Sequence, residues 1–236
     1  LSRAELEYPV IVKPTVKEEF YRHYRKKAVE CSDPSTLRDF LLEASSYSPL
    51  DQLLIQERIP GRCDNQFSLA GLFDRGDPVF FVTARRARQH PMDFGHASTY
   101  VELMDLPEIV GPSLELMESV GYSGVCELEY MLDPRNGSYR ILEVNPRFWG
   151  WHTITRACGA NLPAMLYEQV FGVELTGPSP TDCSGSWVKN ITDIPVGLQL
   201  VNEERLPLNQ LLKQQLDATE NATFWKSDPV PFFAEW

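Results

Sequence analysis

Residues 124–147 read Gly-Val-Cys-Glu127-Leu-Glu129-Tyr-Met-Leu-Asp133-Pro-Arg-Asn136-Gly-Ser-Tyr-Arg-Ile-Leu-Glu143-Val-Asn145-Pro-Arg147. Two apolar-rich runs flank a cluster of turn formers, the signature of a β-hairpin. Strand side chains alternate faces, so Glu127 and Glu129 share one face. Glu143, Asn145 and Arg147 likewise share a face if the second strand persists that far. Placing Glu143 directly opposite Glu129 requires an odd-numbered loop centred near Asn136. The hairpin then gathers carboxylates, an amide and a guanidinium on one patch.

Like charges crowded on one face repel unless something neutralises them. A divalent cation is the usual remedy, and Mg²⁺ takes carboxylate and amide oxygens together with substrate phosphates. The plain alternative is a solvated strand face. The surroundings favour a cleft: Tyr139-Arg-Ile-Leu precedes Glu143, Phe148-Trp-Gly-Trp151 follows Arg147, and buried charge without a partner is costly.

Outward from the hairpin, residues 66–73 and 79–86 read as antiparallel strands around the turn Asp74-Arg-Gly-Asp-Pro78. Residues 89–98 read as a loop with Pro91 and Gly95, residues 108–120 as a helix broken or begun at Gly111-Pro112, and residues 162–171 as an amphipathic helix. Toward the amino end, residues 8–14, 28–31 and 53–57 read as strands. A helix capped by Ser32 or Asp33 carries Leu37, Phe40, Leu41 and Ala44 on one stripe. Residues 15–27 are charged and aromatic without a glycine, fitting a charged lid or an exposed turn. Residues 181–236 read as an extension over the core. Strands and helices mingle without regular βαβ units, so the expected class is α+β.

Composition narrows the function. The chain has 236 residues, 43% apolar and 23% charged, which excludes whole-chain disorder. A net charge of −11 argues against wholesale nucleic-acid binding. No apolar run approaches the roughly 18 residues of a membrane helix. Leu1-Ser-Arg-Ala-Glu5 is too charged for a signal peptide, and the missing initiator Met suggests a fragment or processed product. Five widely spaced cysteines without a Cys-x-x-Cys pair are expected to be reduced thiols of a cytoplasmic protein. The scattered histidines, His152 among them, suggest no metal site.

Ile141-Leu-Glu143-Val-Asn145-Pro-Arg147 resembles the metal-binding strand of the ATP-grasp superfamily, which includes carboxylate–amine ligases, biotin carboxylase and carbamoyl-phosphate synthetase. Tyr8-Pro-Val-Ile-Val-Lys13-Pro14 is similar to that family's nucleotide-binding lysine strand, and Leu54-Ile-Gln56-Glu57-Arg-Ile59-Pro-Gly61 to the hinge that cradles adenine. The resemblance covers roughly residues 8–172. It implies an ATP-grasp fold of two α+β subdomains enclosing a nucleotide cleft, residues 1–60 and 61–177, with residues 178–236 as an extension packed on the core. The family's glycine-rich phosphate loop is absent. Lys27, at the head of the second strand, is the best-placed substitute.

By this resemblance Glu129, Glu143 and Asn145 hold Mg²⁺, with Glu127 an open alternative to Glu129. Lys13 and Lys27 contact the ATP phosphates, and Gln56, Glu57 and Ile59 contact adenine. Arg147 steadies the transferring group, joined by Arg86 from the basic run Arg85-Arg-Ala-Arg88. The implied activity is ATP- and Mg²⁺-dependent joining of a small carboxylate, amino-acid or peptide-like, to an amine through an acyl phosphate. No nucleic acid or membrane partner is expected, whereas a missing amino-terminal domain of the same protein is. The alternatives are an ATP-binding module without ligase activity, or a structural domain whose acidic hairpin is merely solvated.

Overall fold

The computed structural model describes residues 6–26, 28–92, 97–173, 175, 177–178 and 183–235. The chain divides into two compact units, Leu1–Pro60 and Gly61–Trp236. Both mix helices with largely antiparallel sheets, the α+β class expected from the sequence.

In the first unit, β1 (Val10–Pro14) lies between β2 (Val29–Cys31) and β3 (Leu53–Glu57), antiparallel to both. Its alternate residues Val10 and Val12 are fully buried. They pack with Leu37, Phe40 and Ala44, the inner stripe of α2 (Pro34–Ala44). Asp33 starts that helix: its carboxylate accepts from the Ser35 and Thr36 amides while the Thr36 hydroxyl accepts from the Asp33 amide. The Ser35 hydroxyl and the Thr36 amide, both donating to it, hold the Asp33 carboxyl down at about 2. Within residues 15–26 the charged, aromatic stretch is largely helical. Lys17–Tyr24 form α1, whose Phe20 is buried against Tyr24 and Phe40. Phe20 and Tyr24 lie one helical turn apart, and Phe40 on another helix completes their contact.

The second unit is built on a seven-stranded sheet: β4 (Gln66–Asp74), β5 (Asp77–His90), β6 (Ala97–Leu103), β7 (Gly124–Asp133), β8 (Ser138–Asn145), β9 (Ser186–Val188) and β10 (Glu220–Asn221). The spatial order is β10-β9-β6-β5-β4-β7-β8. Alternation along β4 and β7 sorts the side chains into two layers. Leu69, Phe73, Cys126, Leu128 and Tyr130 pack under α3 (Pro107–Ser119). Ala70, Leu72, Phe80 and Val82 pack with Trp149, Trp151, Ile154 and Leu162, the last from α4 (Leu162–Val170). The β4–β5 turn has two central residues, Arg75 and Gly76, both at positive φ, as a tight hairpin requires.

Three expectations need correction. Residues 89–98 are not simply a loop: β5 runs on through Gln89 to His90 and β6 begins at Ala97, with 93–96 outside the described residues. Arg88 makes this possible. It is buried, its guanidinium forms two 2.8 Å bonds to the fully buried Asp193, and it stacks 4.2 Å from the centre of the Tyr100 ring. Asp193 lies on α5 (Asn190–Asn202), 105 residues away in sequence. Nor are all the cysteines reduced. Cys158 and Cys183 form a disulfide across a sequence separation of 25, once β9 brings the later residue beside the earlier one; Cys31 and Cys126 are free and buried. The β7–β8 loop is even rather than odd: Asp133 pairs with Ser138, leaving residues 134–137. Beyond α5, residues 183–235 include α6 (Leu208–Leu216) and α7 (Val230–Glu235). Among the described residues no helix is long and apolar enough to cross a membrane.

Candidate active site

A bulge reconciles the even loop with the paired glutamates. Tyr130 faces Ile141 whereas Glu129 faces Glu143, so β8 carries one extra residue, Leu142, opposite none. Beyond it the register returns to the arrangement the hairpin sequence suggested, with Glu129 opposite Glu143 and Glu127 opposite Asn145. Ser68 on β4 stands beside Glu129, and Gln66 beside Arg86 on β5. All these side chains share one sheet face.

They are joined by a chain of polar contacts across four strands. Arg86 donates through Nη1 to Gln66 Oε1 at 2.9 Å and pairs through Nη2 with Glu129 Oε2 at 3.1 Å. The other Glu129 oxygen accepts from Asn145 Nδ2 at 3.0 Å, and Asn145 Oδ1 accepts from Arg147 Nη2 at 3.1 Å. The Arg86 and Glu129 side chains retain only 13% and 17% exposure, so their attraction is weakly screened. Arg86 Nε is buried with no partner among the described residues.

Glu127 is deeper and does something different. Its Oε1 accepts from the Ser68 hydroxyl at 3.0 Å and from the Trp151 indole at 3.1 Å. Burial, reinforced by the Glu129 charge, pushes its carboxyl up to about 7. Ser68 and Gln66 were missed in the sequence. Their signal was present, since Gln66-Phe-Ser68-Leu puts two polar groups on one face of an apolar strand.

Oxygen donors at β7 and β8 fit a hard divalent cation: two carboxylates, Glu129 and Glu143, and the Asn145 amide. Glu143 is exposed and Asn145 buried, so the donors run from solvent to the sheet interior. Among the described residues no three His, Cys, Asp or Glu side chains gather as a metal site. The third donor would therefore be the amide, not another acid. Arg147 is exposed at the strand end, held by Asn145 and by the Phe148 carbonyl.

In the first unit, Lys13 Nζ donates to Gln56 Oε1 at 3.2 Å. This joins two of the nucleotide candidates across β1 and β3. Glu57 follows Gln56 on the strand and so turns to the opposite face. Ile59 lies past the end of β3 and is half-buried. Lys27 lies outside the described residues.

Comparison with known proteins agrees with this architecture. Residues 50–194 match the family described as ATP-grasp in the biosynthetic pathway with Ter operon. A D-aspartate ligase of Enterococcus faecium (strain Aus0004) is 24% identical over 234 residues, covering 94% of this chain and 55% of the relative. The chain thus spans about half the length of that relative. Among solved structures, an N5-carboxyaminoimidazole ribonucleotide synthetase in complex with ADP superimposes with a TM-score of 0.57 at 14% identity, over 84% of this chain and 50% of that one. The biotin carboxylase domain of Hydrogenobacter thermophilus 2-oxoglutarate carboxylase, a complex with MgADP, ADP and bicarbonate, gives 0.57 at 16% identity, over 77% and 41%.

Proposed function

This chain belongs to the ATP-grasp family, and on that premise we propose that it carries the catalytic part of an ATP- and Mg²⁺-dependent ligase joining a carboxylate to an amine. The observation that carries the reading is the Arg86–Glu129–Asn145–Arg147 chain opposite Glu143. It sets oxygen donors for a cation beside guanidinium groups suited to phosphate.

Glu129, Glu143 and Asn145 would hold Mg²⁺, which when bound neutralises the triphosphate as the terminal phosphoryl group leaves. Arg147, at the rim of the donors, steadies charge on the transferring phosphoryl group. Arg86 orients Glu129 and holds its charge. Lys13 and Lys27 neutralise phosphate oxygens, while Ile59 and either Gln56 or Glu57, which lie on opposite faces of β3, contact the adenine edge. Phosphoryl transfer to the substrate carboxylate gives an acyl phosphate, which the amine then attacks. Such chemistry needs positioning and charge compensation rather than a side-chain nucleophile. The D-aspartate ligase relative supports an amino acid as the carboxylate.

ATP, MgCl₂, D-aspartate and hydroxylamine provide the test. A hydroxamate formed with stoichiometric ADP supports the acyl phosphate. ATP binding without hydroxamate or ADP, for D-aspartate and the common amino acids alike, supports the second reading, a nucleotide-binding module without ligase chemistry. The observation favouring that reading is α1, a helix with no glycine where related proteins carry a glycine-rich loop.

A further inference from the structure

Glu127 has no part in this chemistry so far. It is buried on β7 and stands directly opposite Asn145 on β8. Its Oε1 accepts from two donors, the Ser68 hydroxyl and the Trp151 indole. Ser68 lies on the adjoining strand β4 and belongs to the sheet. Trp151 does not. It is 24 residues further along the chain, in the segment 146–151 that leaves the end of β8. Trp149 and Trp151 are both buried there, in the same layer as Ala70, Leu72 and Val82.

Arg147 rides at the head of this segment, past the last residue of β8, where no strand pairing fixes it. Its guanidinium donates to two acceptors, Asn145 Oδ1 and the Phe148 carbonyl, each at 3.1 Å. Asn145 Oδ1 is also the amide oxygen offered to a cation, and a cation there repels a guanidinium. The Phe148 carbonyl is the hold that a cation leaves in place. Its direction depends on how residues 148–151 are docked. Apolar packing is non-directional, whereas a hydrogen bond to a carboxyl oxygen selects which edge of an indole faces the sheet. Trp149 supplies no such tie, because its indole nitrogen is buried without a partner among the described residues. Trp151 supplies it, at 3.1 Å from Glu127.

We propose that Glu127 is a positioning residue: by accepting from the Trp151 indole it fixes the docking of residues 148–151, and through the Phe148 carbonyl the aim of Arg147 toward the transferring phosphoryl group. The proposal rests on the ligase reading above. It gives Glu127 no contact with nucleotide or metal. What it uses is one oxygen that accepts two hydrogen bonds, so an amide at this position serves the same purpose. A leucine leaves the Trp151 indole and the Ser68 hydroxyl unpaired, and the segment loses its directional tie. Glu129, Glu143 and Asn145 are held by the pairing of β7 with β8 and do not depend on it.

A double-mutant cycle tests whether Glu127 acts through Arg147. Wild type, Glu127→Leu, Glu127→Gln, Arg147→Gln and the double variant Glu127→Leu/Arg147→Gln are assayed with ATP, MgCl₂, D-aspartate and hydroxylamine. Each is also titrated with Mn²⁺ and ADP by electron paramagnetic resonance. In Glu127→Leu the kcat for hydroxamate should fall at least tenfold, while the ATP KM and the Mn²⁺–ADP affinity stay within twofold of wild type. Glu127→Gln should restore kcat to within threefold. In the Arg147→Gln background, Glu127→Leu should lower kcat by less than a further twofold, since the aim it disturbs is already lost. If Glu127→Leu does not fold, Trp151→Phe removes the same bond from its other end and runs the same cycle. Losses that multiply in the double variant overturn the proposal and leave the ligase reading intact. So do a Mn²⁺–ADP affinity that falls along with kcat, a Glu127→Gln as slow as Glu127→Leu, or a Glu127→Leu as fast as wild type. A wild type that forms no hydroxamate at all overturns the ligase reading and this inference with it.

Discussion

Arg86 and Glu129 meet at 3.1 Å although their strands, β5 and β7, are not neighbours; β4 runs between them. The small side chain of Ser68 on that middle strand leaves the space over which they reach each other. The acidic face therefore carries its own counter-charge. Glu127 and Glu129 sit two residues apart on one strand, and without Arg86 both would lie largely buried with no cation beside them.

Arg86→Gln should consequently destabilise the second unit, by about 3 kcal/mol, the usual scale for removing one partner of a largely buried pair. Urea denaturation followed by tryptophan fluorescence checks this. A loss below about 1 kcal/mol, the scale of an exposed pair, would show that Glu129 does not depend on Arg86.

Glu127 makes stability pH-dependent in a definite direction. Its carboxyl is raised from the usual 4.5 to about 7 in the folded protein. Between those values the native state keeps a proton that the unfolded chain releases, so this group's contribution weakens as pH rises from about 4.5 to about 7. Below that window both states are protonated, and above it the full penalty applies. Glu127→Gln keeps an oxygen for Ser68 and Trp151 and removes the ionisation. The variant should match wild type near pH 4.5 and exceed it at pH 8 by up to about 3 kcal/mol. Parallel pH–stability curves for the two proteins would contradict the assignment.

Asp193→Asn should be among the most damaging single substitutions in the unit. Asp193 is fully buried and accepts from both Arg88 nitrogens, the Thr99 hydroxyl and the Gln215 amide. Leaving Arg88 without its charge partner should cost about 3–5 kcal/mol, read as a lower urea midpoint. A midpoint unchanged within error would mean that the network contributes nothing net.

Lys13→Ala should weaken ATP binding about tenfold, or about 1.4 kcal/mol, with thermal stability little changed because Lys13 is only partly buried. Isothermal titration calorimetry with the non-hydrolysable analogue AMP-PNP decides it. Equal affinity would remove Lys13 from the nucleotide site.

The hairpin was legible because its information is local. Alternation alone puts Glu127 with Glu129 and Glu143 with Asn145, and the turn residues between them confine the register to a few choices. Loop parity was misread because a bulge at Leu142 is invisible in side-chain type. Asp33 and the stripe Leu37, Phe40, Ala44 were legible for the same local reason. Arg88 was not. In sequence it belongs to a basic run that looks like an exposed strand end, and the acid that lets it turn inward is 105 residues away. The start of β6 was lost along with it, since a loop was expected over residues 89–98, where Gln89 goes into the core and β6 begins at Ala97. Ser68 lay in plain view, but its meaning depends on β4 running between β5 and β7, an order that only tertiary pairing fixes. His152 reads as an isolated histidine in the sequence; its Nδ1 lies 2.7 Å from the Trp149 carbonyl oxygen, a contact within one turn that side-chain type does not reveal.

If side chains of β7 and β8 bind the metal of a metal–nucleotide complex, Glu143 is the cleanest residue to change, because it is exposed and its loss should spare the fold. Electron paramagnetic resonance titration of Mn²⁺ with ADP, on wild type and Glu143→Gln, measures that binding directly. Mn²⁺–ADP binding should be at least tenfold weaker in the variant, with an unchanged melting temperature. Equal Mn²⁺–ADP affinity in the two proteins would contradict it.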